Sequence, residues 1–88
     1  MKGWRVVFTR KAAKDAQKLT AAGLKEKASY LIRVLSEDSY RSPPPFEKLV
    51  GDLTGAYSRR INVKHRLVYQ ILPGEKTVKV MRMWTHYD

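Results

Sequence analysis

His65-Arg66-Leu67-Val68-Tyr69-Gln70-Ile71-Leu72, then Pro73-Gly74-Glu75-Lys76, then Thr77-Val78-Lys79-Val80-Met81-Arg82-Met83-Trp84-Thr85 is the stretch that decides the fold. Leu67, Tyr69 and Ile71 alternate with Arg66, Val68 and Gln70, the period of two expected of a strand with one buried face. The Pro-Gly pair and its neighbours mark a turn. Residues 77–85 read as the next strand, with Val78, Val80 and Trp84 on one face and Met81 and Met83 on the other. Just upstream, residues 57–63 supply a further strand candidate.

Working outward, residues 40–55 change character. Ser42-Pro43-Pro44-Pro45 can neither continue a helix nor join a central strand, so the chain is expected to be extended there. Gly51-Asp52 and Thr54-Gly55 add turn signals. Before this loop, Leu24, Ala28, Leu31, Ile32 and Leu35 form an amphipathic helical stripe over residues 24–39. An earlier helix follows Thr9, a suitable N-cap. Ala12, Ala13, Ala16 and Leu19 recur at helical spacing, with Lys11, Lys14 and Lys18 turned outward. Ala22-Gly23 ends it and opens a helical hairpin. Trp4-Arg5-Val6-Val7-Phe8 begins the chain as a short strand. The order β-α-α-β-β-β implies an α+β fold, a helical hairpin on one side of a twisted, mostly antiparallel sheet, with residues 1–88 as a single domain.

Eighteen Lys and Arg against eight Asp and Glu give a net charge of +10. A surface this basic attracts phosphate polymers by counterion release, although acidic proteins and anionic lipids answer the same description. With no cysteine, disulfides and thiolate metal sites are excluded. The basic start is followed by only a short apolar run before Arg10-Lys11, and nothing approaches the roughly 20 apolar residues of a spanning helix. A cytoplasmic protein without a membrane partner is the expectation. Glycine-rich phosphate-loop spacing is absent, and His65 and His86 have no neighbouring carboxylate cluster of metal-site type, so neither a cofactor nor a metal is expected.

Three places remain for chemistry. Arg59, Arg60 and Arg66 sit on neighbouring strands, where Arg60 and Arg66 could lie side by side and grip a phosphate through their guanidinium forks. The plainer alternative is a set of solvated strand residues. Glu47, in the loop after the prolines, could accept the proton of a ribose 2′-hydroxyl, or be an ordinary exposed glutamate. His86 and Tyr87 bring an imidazole and a phenol to the chain end, suited to proton transfer and base stacking, or to a frayed tail. Strict alternation would send those two to opposite faces, so both serve one site only if the strand ends or bends before them.

Taken together, Glu47 ahead of Leu53-Thr54-Gly55, Tyr57-Ser58-Arg59-Arg60-Ile61, His65-Arg66-Leu67-Val68-Tyr69 and the terminal His86-Tyr87 resemble the YoeB/Txe family of RelE-like toxins. The likeness spans nearly the whole chain. It implies a microbial-ribonuclease-like fold and a metal-independent endoribonuclease that cuts mRNA in the decoding site of the bacterial ribosome. By that likeness Glu47 is the general base, Arg66 with Arg60 stabilises the phosphate charge, His86 protonates the leaving 5′-oxygen, and Tyr87 positions the substrate. Arg59 and Lys48 join as RNA-binding residues. The products would be a 2′,3′-cyclic phosphate and a 5′-hydroxyl. Family members commonly place a lysine where this chain has Val50. Lys48, two residues earlier and about 7 Å away on the same side of an extended chain, is the expected substitute. Asp88, after the His-Tyr pair, would raise the His86 pKa by its negative charge.

The resemblance also implies a cognate acidic antitoxin folding along the basic sheet face, and homodimers as in some family members. Two other function classes compete. A ParE-like toxin would target a protein, but such relatives lack the loop glutamate and closing His-Tyr. A basic RNA- or ribosome-binding module would bind in a salt-dependent way and leave no new RNA ends.

Overall fold

A computed structural model describes residues 3–42, 45–49 and 55–84. In chain order the elements are β1 (Arg5–Phe8), α1 (Arg10–Ala21), α2 (Lys25–Glu37), β2 (Glu47–Lys48), β3 (Ala56–Arg60), β4 (Arg66–Leu72) and β5 (Thr77–Arg82), with a 3₁₀ turn at Pro73–Glu75. Thr9 caps α1 as its residue type predicts: its hydroxyl accepts from the Ala12 N–H at 3.1 Å. It also donates to the Met81 carbonyl at 2.9 Å, tying the helix start to β5. Gly23, at φ 77°, makes the left-handed turn between the helices, a conformation a side chain would oppose.

The strands form one five-stranded sheet in the order β1-β5-β4-β3-β2. All pairings are antiparallel except β1 with β5, so the sheet is mixed, close to the antiparallel expectation. The α2 stripe is largely as expected, with Ala28, Leu31 and Leu35 buried and Leu24 and Ile32 packed against them. These meet Ala12 and Leu19 of α1 and the inward row Leu67, Tyr69, Ile71, Val78 and Val80. Ala13, expected on the apolar stripe, is exposed.

Two departures matter for the site. The strand expected over 77–85 stops at Arg82, and a register shift against β4 lies at Val68/Tyr69. The chain bends there, so Met83 enters the core while Trp84 stacks on His65 with ring centroids 3.9 Å apart. The second is β2, a two-residue strand in a stretch expected to be loop. It pairs Glu47 with Ser58 and Lys48 with Tyr57, and the Leu49 N–H extends the pairing to the Ala56 carbonyl at 2.9 Å. The sheet therefore has an extra edge, and that edge carries Glu47.

Candidate active site

Side chains paired across a sheet share a face, and neighbours along a strand alternate. The helices cover the face of Tyr57, Arg59, Leu67 and Tyr69. The open face carries Glu47, Ser58, Arg60, Arg66 and Val68 by register. Arg60 and Arg66 are direct cross-strand partners. The turn between them sets that register: the Asn62 side-chain oxygen accepts from the N–H groups of Lys64 and His65 at 2.8 and 2.7 Å, and the Ile61 N–H reaches the His65 carbonyl at 2.8 Å.

Glu47 joins the two arginines in a cavity of about 260 Å³ lined also by Pro45, Phe46 and Ser58. Its Oε1 accepts from Arg66 Nη1 at 2.6 Å, a charge-assisted contact. The Glu47 side chain is 67% exposed, so the carboxylate remains accessible to a ligand. Ser58, which sequence reading passed over, is 2% exposed, and its hydroxyl has no hydrogen-bond partner among the described residues. The arrangement offers an accessible carboxylate and two guanidiniums around one hollow, which suits an anionic ester bearing a nearby hydroxyl.

Two expected RNA contacts are placed elsewhere. Lys48 pairs with Tyr57, so alternation turns it to the opposite face from Glu47, and it does not line the cavity. Arg59 is 1% exposed. It sits on the inner row with Tyr57 and Ile61, where a phosphate contact would require leaving the core. Its Nε donates to the Tyr69 hydroxyl at 3.0 Å and its Nη2 to the carbonyls of Ser39 and Arg41 at 3.2 and 2.8 Å. Its guanidinium lies 4.9 Å from the Phe46 ring, which also meets Tyr57 edge-on at 5.7 Å. The buried cation thus fastens the chain leaving α2 and the residue directly before Glu47. Burial raises the Tyr69 pKa against the opposing charge and hydrogen bond of Arg59, so the phenol stays neutral.

Sequence reading also missed Asp15, buried on α1. Its carboxylate accepts from Arg82 Nε and the Met83 N–H, both at 2.9 Å, and from the Trp84 N–H at 3.2 Å. Burial pushes its pKa up, but the Arg82 hydrogen bond and charge and the two backbone donors outweigh burial and hold it below the ordinary value. Its position was a readable signal, three residues after Ala12 and four before Leu19 on the buried stripe. His86 and Tyr87, expected to complete the site, lie outside the described residues, as do Asp88 and Val50. Among the described residues no group of three or more His, Cys, Asp or Glu could hold a metal ion, and no helix is long and apolar enough to cross a membrane.

Residues 8–87 match the family described as YoeB-like toxin of bacterial type II toxin-antitoxin system. A toxin YoeB from Synechocystis is 32% identical over 65 residues, covering 74% of this chain and 73% of that protein. The YoeB/ParE toxin from Agrobacterium tumefaciens superposes with a TM-score of 0.84 at 29% identity, over 94% of this chain and 99% of the other. In the YoeB-YefM complex from Staphylococcus aureus, the matching chain gives 0.79 at 29% identity over 94% and 97%. The YoeB dimer from the same organism gives 0.77 at 28% identity over 94% and 97%.

Proposed function

This chain belongs to the YoeB-like toxins of bacterial type II toxin-antitoxin systems, and we propose that it is a ribosome-dependent endoribonuclease that cuts mRNA in the decoding site. The observation that carries the reading is the open-face cavity where Glu47 meets Arg66 directly across the sheet from Arg60. In the proposed step the Glu47 carboxylate takes the proton of a ribose 2′-hydroxyl. The 2′-oxygen bonds to the adjacent phosphorus, and the bond from phosphorus to the 5′-oxygen breaks. His86 gives that leaving oxygen its proton, and Tyr87 positions the substrate. Arg66 and Arg60 neutralise charge building on the phosphoryl oxygens. The ends are a 2′,3′-cyclic phosphate and a 5′-hydroxyl, and the reaction runs on side chains alone. Lys48 and Arg59 have no direct role in it.

The proposed partners are mRNA on the ribosome and, in the cytoplasm, an acidic antitoxin laid along the basic surface. The complex of a similar YoeB with YefM supports an antitoxin, and the S. aureus YoeB dimer supports self-association of this chain. Mapping of 5′ ends on translated mRNA tests the reading. Wild type should create new 5′-hydroxyl ends, and Glu47→Gln or His86→Ala should reduce them by about 10²–10⁴-fold. RNA bound by the wild type but left intact would sink it.

A further inference from the structure

The catalytic cavity has a neighbour. Arg60 lines it and also lines a larger hollow of about 400 Å³, walled by Glu26, Lys27, Tyr30 and Leu31 of α2 and by Ile61. Among the described residues β2 pairs with β3 at Tyr57 and Ser58, with a further bond from Leu49 to Ala56, and does not reach Arg60. Arg60 is thus the residue common to the walls of both hollows. Leu31 and Ile61 are core residues that give the second hollow an apolar side. Tyr30 is 47% exposed and makes no ring contact with another aromatic among the described residues. A large aromatic held out of the core beside two cations is poorly used by folding but well placed for a ligand.

We propose that this hollow is a nucleobase subsite: the base of a nucleotide adjoining the scissile linkage stacks on Tyr30 against Leu31 and Ile61, while Arg60 holds the phosphate between the two hollows. The inference rests on the nuclease reading and adds to it a second point of RNA contact. Every base has a π-face, and exposed aromatics beside a cationic track are how proteins hold single strands with little sequence preference. The volume lies within the range of small-molecule sites. Lys27 and Arg60 outnumber Glu26, so the surroundings favour a polyanion over an acidic-residue-seeking basic peptide.

The test is single-turnover cleavage, below saturation, of a short synthetic mRNA on programmed ribosomes. The RNA carries normal bases or one abasic nucleotide on either side of the mapped cut. Tyr30→Ala should slow cleavage on the order of ten-fold, within what one base stack contributes, and Tyr30→Phe should restore it. One abasic position should slow wild type by a similar factor and slow Tyr30→Ala no further. Thermal melting checks folding, which an exposed helix substitution should barely change. Wild-type cleavage with no loss in Tyr30→Ala overturns the subsite and leaves the nuclease reading standing. So do Tyr30 and abasic effects that multiply at every position, or a Tyr30→Ala defect confined to binding a protein partner. Failure of the wild type to cut normal RNA removes both.

Discussion

Arg66 Nη1 lies 2.6 Å from Glu47 Oε1, yet the glutamate side chain is 67% exposed and the arginine 21%. A pair so open to water contributes at most about 1 kcal/mol to stability, because solvent screens it and two long side chains must be ordered. Glu47→Gln should therefore melt within a few degrees of wild type while losing about 10²–10⁴-fold of its mRNA cleavage. Parallel melting and end-mapping decide it. An inactive variant that is also largely unfolded would show that Glu47 matters to the fold instead.

Arg60 and Arg66 stand directly opposite each other across β3 and β4. Like charges so placed are destabilising, by about 0.2–1 kcal/mol. Replacing Arg60 by Gln should raise the denaturant midpoint slightly and weaken RNA binding, with the slope of log affinity against log salt falling by about one. A drop in stability with an unchanged salt slope would mean that Arg60 is a packing residue and contacts no phosphate. In the same assays Arg66→Lys should retain more cleavage than Arg66→Ala, since a point charge replaces part of the fork.

Arg59 makes the opposite prediction. Removing its side chain leaves the Tyr69 hydroxyl and the Ser39 and Arg41 carbonyls without their shared donor and uncovers Phe46. Each buried group so orphaned costs roughly 1–3 kcal/mol. Arg59→Ala should therefore lower the melting temperature by more than about 10 °C, a large effect for a domain this small. Arg59→Ala that melts like wild type but binds RNA weakly would return Arg59 to the surface.

The contrast between Arg59 and Arg60 shows how far the sequence could be read. The inward rows of β4 and β5 up to Val80 and the α2 stripe repeat over enough residues for period alone to place them. Arg59 shares its row with Tyr57 and Ile61 and is buried, whereas the family likeness made it an RNA contact. Acceptors waiting at Ser39, Arg41 and Tyr69, from 10 to 20 residues away in sequence, make its burial favourable. β2 escaped for a different reason. Two residues carry no period, and their pairing with β3 turns Lys48 away from the face of Glu47. The pairing of Arg60 with Arg66 was legible because the two strand candidates follow each other closely enough to lie antiparallel, although the turn at Asn62, read as part of the first strand, was not.

Asp15 carries the prediction about pH. Its carboxylate gathers Arg82 and the N–H groups of Met83 and Trp84, fixing the point where β5 ends and the chain bends. Its folded pKa is depressed because those donors outweigh the burial that pushes the other way. The unfolded chain thus takes up the proton first as pH falls. The stabilisation is complete above the unfolded value of about 3.9 and drains away as pH drops through the lower folded one. Asp15→Asn removes the charge and presents N–H where donors converge, so at neutral pH it should lower stability by roughly 1–3 kcal/mol. Urea midpoints from pH 7 down to about pH 3 should show the wild type losing its advantage over Asp15→Asn only at the acid end. A gap between the two proteins that stays constant across that range would mean the carboxylate's charge contributes nothing to holding the strand end.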